Sequence, residues 1–177
     1  MSELTIRASR DDDISAIQTI YAHSVMNETA TFETHPPSIT DMAARRAALV
    51  DAGYPYLVAV VDETVVGYAY ASAFRARTGY RFTVEDSIYI APDFVGQGVG
   101  KQLLLALIES CIAKGYHQMI AVVGDATHVA SINLHAGLGF REVARYEAIG
   151  FKFGRWLDSV HMQRDLAPAE SINTAKA

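Results

Sequence analysis

Residues 88–101 carry the most specific chemical pattern in the sequence: an apolar strand, a glycine-dense turn and the start of an amphipathic helix. The turn contains Gly96, Gly98 and Gly100, and Lys101 follows it directly. A helix start leaves about four backbone N–H groups without partners inside the helix, and the helix dipole favours an anion beside them. Glycines also let the backbone approach a phosphate closely. The pattern therefore predicts a binding site for a phosphate or pyrophosphate group.

Two common phosphate-binding motifs do not fit this turn. The dinucleotide fingerprint G-x-G-x-x-G needs a third glycine or alanine, but Lys101 and Leu103 stand there in its two possible frames. The P-loop needs glycine where Val95 stands and serine or threonine where Gln102 stands. A tight turn that only caps a helix stays open as the alternative.

Glu85 and His135 are the candidates for proton transfer. Glu85 lies in a largely apolar strand, where partial burial raises the pKa of a carboxyl group and suits it to act as a general base. His135 lies on a short apolar helix, and an imidazole can donate a proton near neutral pH. A solvent-facing role for Glu85 and a packing role for His135 remain the alternatives.

A second group of residues suits the binding of a small carboxylate. Arg75 and Arg77 are one residue apart in a polar connector, so in an extended backbone they share a side and form a clamp for a carboxylate. Phe32 and Tyr80 are candidates to cover the rest of such a substrate. Surface arginines without a specific partner and aromatic core residues are the alternatives.

Several segments resemble the GNAT superfamily of N-acetyltransferases. Residues 95–100 and the helix behind them resemble motif A, Arg/Gln-x-x-Gly-x-Gly/Ala, although Val95 replaces its first residue. Residues 131–140 resemble motif B with its closing Gly-Phe. Residues 83–90 and 150–158, together with Thr29–Glu33 and the arginine pair, are similar to the phosphinothricin and methionine sulfone/sulfoximine N-acetyltransferases. The resemblance runs from about residue 4 to residue 166.

The resemblance implies direct transfer of acetyl from acetyl-CoA to the α-amine of a small amino acid analogue. The six histidines show no metal-ligand spacing, so we expect no metal. Glu85 would be the base, and His135 stands where many relatives carry a tyrosine that protonates the leaving thiolate. A β-bulge in the strand at residues 88–90 would free an N–H group for the thioester oxygen. His128 stands where relatives usually have an asparagine that contacts the cofactor arm.

The implied cofactor-binding residues are Ile88, Tyr89, Ile90, Gly96, Gln97, Gly98, Val99, Gly100, Lys101, His128 and Ser131. The predicted substrate-binding residues are Phe32, Arg75, Arg77, Tyr80 and Glu85. Two other functions stay open: acetyl transfer to another amine, such as a protein N-terminus, and a non-catalytic acyl-CoA sensor.

The elements that must position these residues follow the order strand, two helices, three strands, helix, strand, helix, two strands. Hydrophobic periodicity and turn residues predict them. The fold class is mixed α/β (α+β), and the resemblance implies the GNAT fold, with one central, mixed, mostly antiparallel twisted sheet and helices on both faces. We expect a single N-acetyltransferase domain over residues 1–166 and a frayed tail over residues 167–177. The last two strands are predicted at Arg141–Ala148 and Asp158–Gln163.

Composition limits the classes of function. The chain has 177 residues, 50% of them hydrophobic, and a formal net charge of −5, which argues against a general nucleic-acid surface. Its single cysteine, Cys111, cannot form an internal disulfide. We expect a cytoplasmic protein without a membrane span, with a small amino acid as its partner; the resemblance implies a homodimer built near the C-terminal strands.

Overall fold

The computed structural model describes residues 3–166, in which seven strands form one sheet with four helices around it. The predicted order of elements is confirmed. The elements are β1 (Leu4–Ala8), α1 (Ile14–Asn27), α2 (Ile39–Asp51), β2 (Tyr56–Val61), β3 (Thr64–Ala73), β4 (Thr83–Ile90), α3 (Val99–Ala113), β5 (Gln118–Val123), α4 (Val129–Ala136), β6 (Arg141–Lys152) and β7 (Arg155–Asp165).

The strands lie in the order β1-β2-β3-β4-β5-β7-β6. Within the described part of the chain, β4 and β5 are the one parallel pair and every other neighbouring pair is antiparallel. This is the predicted mixed, mostly antiparallel sheet. The tail predicted at residues 167–177 lies outside the described residues, and the single-domain organisation stays a prediction.

Helices cover both faces of the sheet because the strands bury apolar side chains on both sides. On one face the core forms under α3, around Leu103, Leu104 and Leu107. On the other face it forms under α1 and α2, around Ile17 and Tyr68. No helix within residues 3–166 has the length and apolar character needed to cross a membrane.

The last hairpin is longer than the sequence predicts. β6 continues to Lys152 and β7 begins at Arg155, so Phe151 and Trp156 pair across the turn. Phe153 and Gly154 form this turn with φ values of 51° and 74°. Such a two-residue turn normally has asparagine or aspartate before the glycine. Because phenylalanine stands there instead, the sequence does not show the usual pattern of a two-residue turn, and the predicted strands end too early.

The sheet opens between its two central strands. β4 pairs with β5 only over Thr83–Asp86, opposite Gln118–Ala121, although both strands continue further. On its other side β4 pairs with β3 in unbroken register through Ile90. The expected β-bulge at residues 88–90 is therefore wrong for this pairing. Separation of the strands, rather than a bulge, leaves backbone groups of β4 unpaired.

Candidate active site

The opening between β4 and β5 forms an inner cleft of about 200 Å³. Its walls come from both strands, from α4 and from the loop between α1 and α2. Its lining residues are Ala30, Thr31, Phe32, Glu85, Asp86, Ser87, Ile88, Tyr89, Ala121, Val122, Val123, Gly124, His128, Ser131 and His135.

An outer cleft of about 360 Å³ continues from the inner one, and the two share Ala30, Ile88, Tyr89, His128 and Ser131. The outer cleft extends to the glycine turn, where Gly96, Gly98, Gly100 and Lys101 line it. The two clefts therefore form one trough from Glu85 and His135 to the start of α3.

The glycine turn has the geometry of an anion site. Gly98 is the N-cap of α3 with φ 83°, and Gly96 has φ 78°. Side chains larger than hydrogen are strained at these angles. The N–H groups of the first helical turn lack intrahelical acceptors and lie where the dipole favours negative charge. Lys101, which also lines the outer cleft, adds a positive charge beside these N–H groups.

Two predicted cofactor-binding residues in this turn do not present side chains to the trough. Val99 is buried in the core under α3, and the Gln97 side chain donates a hydrogen bond to the carbonyl oxygen of Asp93 at 2.6 Å. Any contact they make with an anion would be through the backbone.

Strand β4 directs backbone groups into the opening. The N–H of Ala91 bonds the carbonyl of Val66 in β3 at 2.8 Å. Backbone groups alternate sides along a strand, so those of Tyr89 also face β3, whereas the N–H groups of Ile88 and Ile90 point away from it. Ile88 and Ile90 thus offer main-chain donors to the opening. Tyr89 also lines both clefts, and its ring packs against those of Tyr21 and Tyr68.

Glu85 lies in the inner cleft on the face of β4 that bears α1. It is half-buried, and burial, followed by the charge of Asp86, raises the pKa of its carboxyl group. A carboxylate with a raised pKa is a stronger base than an exposed one. The partial burial expected from the sequence is confirmed.

His135 lies on the opposite face, buried against Asp86. Its Nδ1 is 2.7 Å from the carbonyl oxygen of Ser131, and because a carbonyl only accepts, Nδ1 carries a proton. Its Nε2 is 3.1 Å from Oδ2 of Asp86. Burial lowers the pKa of His135, but the hydrogen bond and charge of Asp86 outweigh burial and raise it.

Asp86 lines the inner cleft although the sequence did not predict it as a site residue. It is 6% exposed, and its Oδ1 is buried without a hydrogen-bond partner among the described residues. The available signal was strand alternation: beside Glu85, an acidic residue must point to the opposite, core-facing side. Its partner is 49 residues away, which no local pattern reveals.

The loop between α1 and α2 closes the inner cleft and is attached to β6. The buried ammonium of Lys152 donates to the carbonyl oxygens of Glu28 and Thr31, each at 2.7 Å. Gly150 lies against the Phe32 ring so closely that a Cβ there would come within 2.4 Å of it. These contacts hold Thr31 and Phe32 in the wall of the cleft.

The same first part of the loop also packs on the end of β5. A Cβ on Gly124 would lie 2.4 Å from the carbonyl oxygen of Thr29. Next to it, buried Asp125 accepts from Arg155 at 2.7 Å and from the N–H of Thr127 at 2.9 Å. These bonds outweigh burial and lower the pKa of Asp125 to about 2.

Three predicted substrate-binding residues lie outside the two clefts. Neither cleft includes Arg75, Arg77 or Tyr80. The Arg75 guanidinium instead packs over the rings of Phe74 and Tyr80, with centroid distances of 5.1 and 5.7 Å. Their role in substrate binding stays a prediction.

The residues present fit a long thioester with an anionic end. The glycine turn supplies donors for the anion, the free edge of β4 supplies donors for an amide-containing arm, and ionisable groups lie at the inner end. Residues 3–166 contain no group of three or more His, Cys, Asp or Glu side chains placed to hold a metal ion.

Comparison with known proteins agrees with this geometry. Residues 19–140 match the acetyltransferase (GNAT) family. The chain is 55% identical to phosphinothricin N-acetyltransferase of Alcaligenes faecalis over 162 residues, covering 92% of this chain and 82% of that protein. It is 38% identical to the L-methionine sulfoximine/L-methionine sulfone acetyltransferase of Salmonella typhimurium over 163 residues, covering 92% and 95%.

A solved structure has the same fold. The phosphinothricin acetyltransferase of Sinorhizobium meliloti in complex with AcCoA superimposes with a TM-score of 0.90 at 50% identity, covering 93% of this chain and 89% of that one. The family match and the identity over nearly the whole chain show that this chain belongs to the GNAT acetyltransferase family.

Proposed function

We propose that this chain transfers the acetyl group of acetyl-CoA to the α-amine of a small amino acid analogue, in a ternary complex. The observation that carries the proposal is the placement of Glu85 and His135. They come from opposite faces of the sheet but line the same inner cleft, which continues to the anion site at the start of α3.

The acceptors we propose are phosphinothricin, methionine sulfone and methionine sulfoximine. The support comes from the relatives: two that are named for these compounds share 55% and 38% of their residues with this chain. The small inner cleft, closed by the loop that carries Phe32, also suits a small acceptor better than a peptide.

Acetyl-CoA supplies the acetyl group as an activated thioester. In this proposal, the glycine turn and Lys101 bind its pyrophosphate, and the N–H groups of Ile88 and Ile90 bind the arm. His128 and Ser131 line the trough where that arm would pass.

Glu85 accepts the proton of the acceptor amine, which makes the nitrogen nucleophilic. The neutral nitrogen bonds the carbonyl carbon while the carbon–sulfur bond breaks, and the sulfur keeps that electron pair. The new amide nitrogen still carries one excess proton, which it releases to solvent. His135 donates a proton to the sulfur, which makes the leaving group neutral. The two protons then exchange with solvent, so Glu85 and His135 return to their starting states.

Phe32 would cover the acceptor side chain, because its ring lines the inner cleft. Tyr80 would help to cover that side chain, and Arg75 and Arg77 would bind the carboxylate. The support for Tyr80 is its residue type, and the support for the arginines is their spacing together with the resemblance. Arg75→Ala is expected to raise the KM for the amino acid much more than the KM for acetyl-CoA.

We also propose that the protein is a cytoplasmic homodimer. Exposed apolar side chains concentrate on β6 and β7, and Phe151 and Trp156 are 56% and 64% exposed. Among residues 3–166, β6 is also an edge strand of the sheet. The buried, unpaired Cys111 agrees with a reducing compartment.

The test is release of free thiol from acetyl-CoA in the presence of phosphinothricin, methionine sulfone, methionine sulfoximine and unmodified amino acids. We expect rapid release with the first three. Release only with peptides bearing a free N-terminus would favour the alternative acceptor. Binding of acetyl-CoA by calorimetry without thiol release over a broad amine panel would favour a sensor instead.

A further inference from the structure

Asp86 and His135 form a buried pair of ionisable side chains beside the inner cleft. Both side chains are buried: Asp86 is 6% exposed and His135 is 3% exposed. An ionised pair at this depth is costly unless its hydrogen bonds are satisfied. Yet Oδ1 of Asp86 has no partner among the described residues, although Asp86 lines the inner cleft.

The hydrogen bonds determine where the protons are. Nδ1 of His135 must donate to the carbonyl of Ser131, so a neutral ring would leave Nε2 as a lone pair. That lone pair would face Oδ2 of Asp86 at 3.1 Å, acceptor against acceptor. A proton on Nε2 removes this repulsion and makes the ring an imidazolium beside a carboxylate.

The surrounding charges favour the same state. Glu85 lies next to Asp86 on the other face of β4 and adds negative charge. Cys111 of α3 stays a neutral thiol, because burial, and then Asp86, raises its pKa to about 12. His128, at the start of α4, also lines the cleft, and the ring of Phe140 packs edge-on against His135 at 5.0 Å.

We infer that Asp86 is a positioning residue, which orients the His135 ring and keeps it protonated, so that a proton is held in the cleft where the sulfur leaves. This inference rests on the proposed function, because it assigns a partner to the proposed acid. Transfer of the Nε2 proton to the sulfur breaks its hydrogen bond to Oδ2 of Asp86. The bare nitrogen then faces the Asp86 carboxylate, which favours recovery of a proton from solvent.

The first test measures protonation without activity. Nuclear magnetic resonance of the protein with ¹⁵N-labelled histidine follows each ring through a pH titration, and the signal missing from His135→Asn identifies His135. We expect His135 to titrate above the usual value of about 6.5. In Asp86→Asn it should titrate lower by about one to three pH units, the usual effect of removing an adjacent opposite charge.

Asp125→Asn is the matched control, because it makes the same change at a buried carboxylate without contact to His135. It should leave the His135 titration in place. A wild-type His135 that titrates below 6.5, or an Asp86→Asn titration equal to wild type, would overturn the inference. The pH titration of His135 in the wild-type protein tests the inference even if Asp86→Asn does not fold.

The second test asks whether the reaction uses this proton. In the thiol-release assay, the alkaline fall of kcat should move to lower pH in Asp86→Asn by the shift seen for His135. In a His135→Asn background, Asp86→Asn should cause little further loss. If kcat falls at the same alkaline pH in wild type and in Asp86→Asn, the proposed role of Asp86 in catalysis is overturned. Absence of thiol release from wild type with every amine would instead refute the proposed function, leaving the titration result in place.

Discussion

Glu85 and Asp86 are neighbouring carboxyl groups whose different environments suit them to different roles in proton transfer. Strand alternation directs Glu85 to the face under α1 and Asp86 to the face under α3 and α4. Glu85 is half-buried and without a charged partner of opposite sign among the described residues, whereas Asp86 faces His135. The first is suited to accept a proton and the second to hold one on its neighbour.

Replacing Glu85 by glutamine tests the base. The pKa of Glu85 is raised by burial, so if Glu85 is the proposed base, kcat/KM should rise with pH at values above the ordinary carboxyl range, where this group loses its proton. Glu85→Gln should lower kcat by about 100-fold or more and remove that acidic limb. A pH series of initial rates measures both effects.

The control for this change is Glu109→Gln, at an exposed position on α3. It should keep wild-type rates at every pH. If Glu85→Gln stays within a few-fold of wild type across the series, another group or the solvent takes the amine proton.

Site residues that stand in a local sequence pattern can be predicted from the sequence, whereas those defined by distant partners cannot. Gly96, Gly98 and Glu85 stand in recognisable segments, and they line the trough. Asp86 and Lys152 have partners 49 and 121 to 124 residues away, so no spacing in the sequence points to them.

Among the elements, the loop between α1 and α2 depends most on others for its position. Without helix or strand of its own, it is held by β6 through Lys152 and Gly150, and by the end of β5 through Gly124. Because this loop carries Phe32, the part of the inner cleft proposed to bind the acceptor is built by contacts between elements far apart in the sequence.

Lys152→Met should therefore change acceptor binding. It removes the cationic donor to two carbonyl oxygens, which then lose a partner, so the free energy of unfolding should fall by about 1–3 kcal/mol. The freed loop should raise the KM for the acceptor several-fold and leave the KM for acetyl-CoA close to wild type. Steady-state kinetics and denaturant unfolding measure the two effects.

Lys114→Met, at an exposed lysine after α3, is the matched control and should change neither quantity. Equal acceptor KM values in Lys152→Met and wild type would mean that the loop keeps its place without this lysine.

Element order followed from hydrophobic periodicity and turn residues, but two details depended on tertiary structure. The last hairpin extends to a Phe153–Gly154 turn that lacks the usual asparagine or aspartate signal. The separation of β4 from β5 depends on how two strands pair, and neither strand encodes it alone.

For the molecule as a whole, apolar exposure is uneven. The final hairpin carries a group of exposed large apolar side chains: Val143, Tyr146, Ile149, Phe151, Phe153 and Trp156. Concentrated exposure of this kind is typical of a protein interface. The net charge of −5 is small enough that it does not prevent two copies from associating through such a surface.

Trp156→Glu should weaken association of the proposed homodimer, since it places a charge on the most exposed of these rings. Sedimentation velocity should show a dimer for wild type and a shift to monomer for the variant. Leu105→Glu, at an exposed apolar position on α3, is the control and should stay dimeric. A wild-type protein that sediments as a monomer at all concentrations would contradict the prediction.

The opening between β4 and β5 also leaves the two parts of the sheet joined by only four residue pairs at this seam. A bound arm that accepts bonds from β4 would act as an additional strand. Deuterium uptake at the amides of Ile88 and Ile90 should then slow when coenzyme A is added, while the amide of Tyr89, already directed to β3, should change little. Mass spectrometry after timed labelling, with residue-level fragmentation, would measure this alternation along a single strand.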